Sequence, residues 1–372
     1  MSENNYKDHV YALILAGGGG TRLWPKSLNK TPKQFLKLFK NKTLTQITCE
    51  RFSKVIKWER IYCVTVSDEY KKEIIKEVPN FVPNNIIVEP CRRETGPAHG
   101  IGAAIIYKKD PDAVIITEAA DRLVDPVEKY LDTLEKAAEV AYREKVLVAV
   151  GVTPRYPHTG LGHIKIGKEM FRANGKTFFK VDKFVEKPPL DLAKKYTDSG
   201  EYLWNAGQFV WRADSILEAL KKFAPDVYKN LMTINESLGT KDEEKIINSS
   251  YEAMPKIAID YAVAEKAENL VVVPADFFWT DIGDWKEVWK NLDKDKDNNV
   301  IIDGQEKGGE VINIDTQDTL IHTDGRLVVV IDVDDVVIVD TKKALLICSK
   351  EKAQNVKKIV EKLKEDGRNE LL

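Results

Sequence analysis

An apolar run, Val10 to Ala16, leads straight into four consecutive glycines, Gly17 to Gly20. No other stretch restricts the fold as strongly. A short apolar run closed by glycine reads as a strand buried on both faces. Glycines lack Cβ, so Gly17, Gly18 and Gly19 let backbone N–H groups close on an anion, above all a polyphosphate. Arg22 follows directly and can meet phosphate oxygens bidentately, and Lys33 comes behind Pro32 as a second cation. The segment is a strand-loop phosphate cradle. The position of the third glycine of a dinucleotide fingerprint holds Arg22, and the Gly-Lys-Ser/Thr ending of a P-loop is missing. The competing reading, a flexible glycine turn with solvated charges, sits poorly with the ordered TRLWP…PKQF continuation.

Strand-like and helix-like patterns alternate behind this loop. Val10–Ala16, Ile61–Val66, Ile86–Val88, Val114–Thr117 and Val146–Val152 read as strands. Thr43–Phe52, Glu69–Glu77, Pro97–Lys108 and Val127–Glu144 read as helices. The alternation predicts an α/β fold with a doubly wound, mainly parallel sheet and helices on both faces. Ligands of such sheets lie beyond the carboxyl ends of the strands, where the glycine loop falls.

The texture changes past Leu292. Asp293–Asn299 is a charged linker, followed by short alternating runs at Gly309–Ile314, Thr319–Ile321, Leu327–Asp332, Val336–Asp340 and Ala344–Cys348. A small C-terminal β module is expected, ending in an amphipathic helix over Lys352–Lys364. The even spacing allows a short β-solenoid. The expected domains are therefore 1–292, catalytic, and 293–372, β-rich.

The net charge of −2 gives no reason to expect nucleic acid or an anionic membrane as partner. Cys49, Cys63, Cys91 and Cys348 form no CxxC pair, which fits a reducing compartment. His158 and His163 lack zinc spacing. With no apolar run of about 20 residues and no signal peptide, the chain is expected to be cytoplasmic.

The pattern GGxGTRLxPxS…PKQF resembles the signature of the sugar-1-phosphate nucleotidylyltransferases, enzymes of a nucleotide-diphospho-sugar transferase, Rossmann-like fold. The PKQF ending is similar to the mannose-1-phosphate guanylyltransferase branch. The resemblance implies GTP and mannose 1-phosphate as substrates, GDP-mannose and pyrophosphate as products, and Mg²⁺ as cofactor. Nucleotidyl transfer joins two polyanions, so it needs a cradle, cations and metal-binding carboxylates but no covalent nucleophile. The C-terminal module of such enzymes often packs on the catalytic domain or on a second subunit, which allows a homodimer. The isomerase domain fused to some of them is expected to be absent, the chain being too short to hold it.

Further motifs carry the resemblance along residues 10–290. EAADR contains Asp121, which the family places on the metal; Arg122 stands where His is usual. WTDIGDW (Trp279 to Trp285) supplies Asp281 as the second metal carboxylate. FVEKP implies Glu186 on sugar hydroxyls and Lys187 on the sugar phosphate, and WNAGQF implies Asn205 on sugar hydroxyls. TGLGHI implies a close approach of the sugar at Gly162, with Leu161 and His163 replacing aromatic residues. EPCRRETGPA has Glu94 for Asn and Gly96 for Ala; Glu94 either accepts from guanine or faces solvent at a helix start. Asp260, in IDYAVAEK, reads as a helix N-cap in preference to a sugar contact. Arg22 is assigned to the leaving phosphates and Lys33 to the reacting ones. Competing readings are a nucleotidylyltransferase for another sugar or base, a non-catalytic sugar-nucleotide-binding subunit and, weakest, a dehydrogenase.

Overall fold

The protein is described by a computed structural model covering residues 5–39, 41–303 and 309–372. It divides into two compact units. The first comprises residues 1–17, 48–120 and 124–279; the second comprises 18–47, 121–123 and 280–372.

The first unit is built on a nine-stranded sheet: β1 (Val10–Ala16), β2 (Ile61–Thr65), β3 (Ile86–Val88), β4 (Val114–Ala119), β5 (Leu147–Val152), β6 (His163–Ala173), β7 (Lys176–Val185), β8 (Tyr202–Arg212) and β9 (Leu270–Pro274). Their order across the sheet is β3-β2-β1-β4-β8-β5-β9-β7-β6. β1 pairs in parallel with β2 and β4, β2 with β3, and β5 with β9. β8 runs against β4 and β5, and β7 runs against β9 and β6. The remaining strands share one direction, so the sheet is mixed and mainly parallel, as the alternation predicts.

Alternation of side chains buries both faces. Tyr11, Leu13 and Ile115 join a core with Ile101, Ala104, Ile216, Leu220, Val227 and Leu231 from the helices Thr95–Lys109, Ala213–Phe223 and Pro225–Ser237. Ala12, Ile14 and Ile116, their neighbours along the strands, are equally buried. Ile116 lines a small cavity with Leu131 and Leu134 of the helix Val127–Glu144, which therefore covers the opposite face.

In the second unit, strands β10 (Val300–Asp303), β12 (Leu320–Thr323), β14 (Val336–Asp340) and β15 (Leu345–Ser349) form one sheet. β11 (Glu310–Ile314) and β13 (Leu327–Ile331) form a parallel pair. β10, β12 and β14 are also parallel, with only β15 reversed. Val300, Leu320, Val337 and Val339 pack in one core with Leu23, Trp24, Leu36 and Trp285. The segment after the glycines and the helix Trp285–Asn291 thus belong to the same compact body as the C-terminal strands. The expected terminal helix is a 3₁₀ turn, Lys350–Asn355, followed by an α-helix, Val356–Glu365.

Candidate functional site

Residues from three of the motifs meet within the second unit. Lys33 opens a short 3₁₀ turn, Lys33–Phe35, and its stem lies against Gly20. Its Nζ donates to the Ile282 carbonyl at 3.1 Å and lies 2.5 Å from Asp121 Oδ2. Ile282 N in turn donates to the Asp121 carbonyl at 3.3 Å. Arg122 reaches both candidate metal carboxylates, with Nε 3.4 Å from Asp121 Oδ1 and Nη1 3.9 Å from Asp281 Oδ2.

The two aspartates of WTDIGDW do different work. Asp284 is buried and caps the helix Trp285–Asn291, accepting from Glu287 N at 3.0 Å. Asp281 is 42% exposed and remains available. Burial pushes the Asp121 carboxyl up, but Lys33 and Arg122 outweigh it and hold it down at about 2. Arg22 is exposed, and among the described residues it meets no hydrogen-bonding or ionic partner.

Asp121 Oδ1 is buried yet accepts no hydrogen bond. An orphaned carboxylate oxygen, with the Asp281 carboxylate at the same guanidinium, suits a hard divalent cation that takes its remaining ligands from water and phosphate. Among the described residues no cluster of three or more His, Cys, Asp or Glu side chains could hold an ion. A divalent cation held here would have these two carboxylates as protein ligands, with water and phosphate left to supply the rest.

The residues expected at the sugar come together within the first unit. β8 carries Asn205, and its register against β5 shifts between Asn205 and Phe209, a bulge that re-aims the strand. Asn205 N donates to the Gly162 carbonyl at 2.8 Å, and Asn205 Oδ1 accepts from Gly207 N at 3.0 Å. A Cβ at Gly162 would lie 2.6 Å from Glu186 Oε2 and 3.2 Å from Asn205 Cβ, so a side chain there would push the Glu186 carboxylate aside. Lys187 Nζ lies 2.9 Å from Glu186 Oε1. Burial works against the Lys187 charge, but Glu186 more than offsets it and raises the ammonium.

Asp260 corrects the N-cap expectation. It lies inside a π-helical turn, Asp260–Ala264, whose cap position is Ile259, and its Oδ1 accepts from Asn205 Nδ2 at 2.9 Å. Burial first, then the neighbouring Glu186 charge, pushes its carboxyl up to about 6. His163, in contrast, is fully buried, and its Nδ1 contacts the Leu161 carbonyl at 3.1 Å.

Glu94 is exposed at the cap position of the helix Thr95–Lys109, with φ 67° and ψ −176°, and its side chain caps nothing. Gly96, the other departure in that loop, has a direct cause: a Cβ there would lie 2.6 Å from the Ile257 carbonyl oxygen, which accepts from Gly96 N at 2.9 Å.

Sequence reasoning passed over Glu89. It is buried, accepts a short hydrogen bond from the Tyr251 hydroxyl, and lines a cleft of about 750 Å³ with Ser67, Val88, Pro90 and Lys241. A Cβ at Gly17 would lie 3.6 Å from its Oε2, so the carboxylate reaches the start of the glycine loop. Burial raises its carboxyl to about 7, against the opposing pull of Tyr251 and Arg92. Its only signal in the sequence is its place at the head of EPCRRET.

Comparison with known proteins agrees with this architecture. The Nucleotidyl transferase family matches residues 11–298, and the MannoseP isomerase/GMP-like beta-helix domain matches residues 309–363. A mannose-1-phosphate guanylyltransferase of Salmonella montevideo is 37% identical over 366 residues, 97% of this chain and 75% of that protein. The enzyme of the same name from Escherichia coli K12 is 35% identical over 97% of this chain and 75% of its own length. A crystal structure from Thermus thermophilus, described as a mannose-1-phosphate geranyltransferase, superposes with a TM-score of 0.83 at 30% identity, over 96% of this chain and 99% of that one. The chain belongs to the nucleotidyl transferase family.

Proposed function

We propose that the protein transfers the guanylyl group of GTP to α-D-mannose 1-phosphate, giving GDP-mannose and pyrophosphate. A phosphate oxygen of the sugar substrate attacks the α-phosphorus of GTP. The new P–O bond forms as the bond to the β-phosphate bridging oxygen breaks, and pyrophosphate leaves with that electron pair. The observation that carries this reading is the convergence of Asp121 and Asp281 on one guanidinium, with Lys33 against Asp121.

In this reading Arg22 and the N–H groups of Gly17 to Gly19 hold the leaving phosphates, and Lys33 neutralises the reacting ones. Asp121 and Asp281 hold Mg²⁺, which when bound neutralises phosphate charge. Lys187 binds the sugar phosphate, while Glu186, Asn205 and the backbone at Gly162 orient the sugar. Glu89 joins Glu94 as a candidate for the base, because an ionised carboxylate accepts from both N1–H and the exocyclic amine of guanine. A cytoplasmic setting and a homodimer belong to the same proposal. The four free cysteines support the first, and the exposed row Ile312, Ile314, Val329 and Ile331 on β11 and β13 supports the second.

Incubation with GTP, mannose 1-phosphate and Mg²⁺ should yield GDP-mannose by mass spectrometry. Its absence, with both substrates recovered intact, would contradict the reading.

A further inference from the structure

Arg122 is placed unusually for a residue beside two candidate metal carboxylates. It is largely buried, 15% exposed, and lies within ion-pair distance of both Asp121 and Asp281. Together with Lys33 it balances the charge of the two aspartates, so the pocket offers little net attraction to a dication. Its distances to the two carboxylates, 3.4 and 3.9 Å, are long for charge-assisted hydrogen bonds, and Asp121 Oδ1 accepts no hydrogen bond despite the nearby guanidinium. Charge and not fork geometry ties the guanidinium to these two aspartates, so a better anionic partner can draw it away from them.

We propose that Arg122 is a built-in counter-ion occupying the divalent-ion site of the nucleotide-free protein, so that the metal enters with the triphosphate and not before it. The inference rests on reading Asp121 and Asp281 as the metal carboxylates. A triphosphate presents planar pairs of oxygens that a guanidinium binds bidentately, which gives Arg122 somewhere to go. Once it moves, Asp121 Oδ1 and the Asp281 carboxylate are released from the guanidinium, while Lys33 stays on Asp121 Oδ2. Metal and nucleotide then strengthen each other's binding, because coupling between two ligands is reciprocal.

The test is Mn²⁺ binding to the nucleotide-free protein, followed by electron paramagnetic resonance, for the wild type, Arg122→Gln and Arg122→Lys. The glutamine variant should bind Mn²⁺ tighter by about tenfold or more, as expected when a unit charge near the ion is removed. The lysine variant should resemble the wild type, and Asp121→Asn added to Arg122→Gln should erase the gain. Equal affinity of Arg122→Gln and wild type overturns the proposal. So does micromolar Mn²⁺ binding by the nucleotide-free wild type, which needs no variant to fold. Turnover of Asp281→Ala is read separately: wild-type GDP-mannose formation by that variant would remove the metal assignment itself, whereas unchanged Mn²⁺ affinity on losing Arg122 removes only the counter-ion.

Discussion

Lys33 Nζ stands 2.5 Å from Asp121 Oδ2, joining the PKQF segment to the end of EAADR. The contact gives Asp121 an ordinary structural task in the free protein as well as its proposed metal task. Its carboxyl is held at about 2 in the fold, below the usual aspartate value near 3.9. A depressed carboxyl contributes stability above the unfolded value and loses it as pH falls through the folded one. Lys33→Ala should therefore cost about 2 kcal/mol at pH 7, and the difference from wild type should vanish toward pH 2. Urea unfolding at several pH values reads this directly. The same variant should lower turnover by about 10²-fold or more, as loss of a charge aimed at reacting phosphates does.

Glu89 supplies a second pH effect, from a carboxyl shifted up and not down. Its carboxyl sits at about 7, so it is substantially protonated in the free protein near neutrality. Only the ionised form accepts two donors from guanine, so GTP affinity should rise as pH increases through 7. Isothermal titration from pH 6 to 8 should show the rise, and Glu89→Gln should flatten it. A wild-type affinity independent of pH would separate Glu89 from the base.

Glu94 occupies a backbone region that only glycine visits freely, at φ 67° and ψ −176°. Glu94→Gly should stabilise the protein by about 1 kcal/mol. If the carboxylate contacts guanine, the gain should come with weaker GTP binding. Thermal unfolding beside a nucleotide titration separates the two effects.

Glu118 anchors a buried polar group within the first unit. The Tyr130 hydroxyl donates to it, Gln208 Nε2 donates to Tyr130 Oη at 2.7 Å, and Arg51 lies 3.6 Å away. Glu118→Ala would leave the Arg51 charge buried without this carboxylate and should destabilise the protein by about 3–5 kcal/mol. Denaturant unfolding is the measurement.

Asn205 donates to Asp260 and packs on Gly162, and the proposed function assigns it to the sugar and not to the nucleotide. Asn205→Ala should raise KM for mannose 1-phosphate about tenfold or more, the range expected for a lost hydrogen bond in a buried site. GTP binding should be unaffected. An unchanged KM would remove Asn205 from the sugar.

Much of this is legible in the amino-acid sequence, for identifiable reasons. β1 and β3 fall at the expected residues because buried parallel strands are continuous apolar runs closed by polar residues or glycine. The insertion of β8 between β4 and β5 was not legible, since pairing partners distant in sequence leave no local period. The same limit hid Asp260, whose local pattern suits a cap while its partner Asn205 comes from a distant strand. Glu89 and Glu118 escaped because an acid at a strand end ordinarily reads as solvated, and only burial distinguishes them. Arg122 stood out as a departure, yet its contact with both aspartates required the fold.

Pyrophosphate release with each of four nucleoside triphosphates, crossed against mannose, glucose and glucosamine 1-phosphates in Mg²⁺, tests the central claim most directly. The account predicts that GTP with mannose 1-phosphate has the highest kcat/KM of all pairs. Release from that pair no faster than from the others would contradict the assigned substrates, and no release from any pair would contradict nucleotidyl transfer itself.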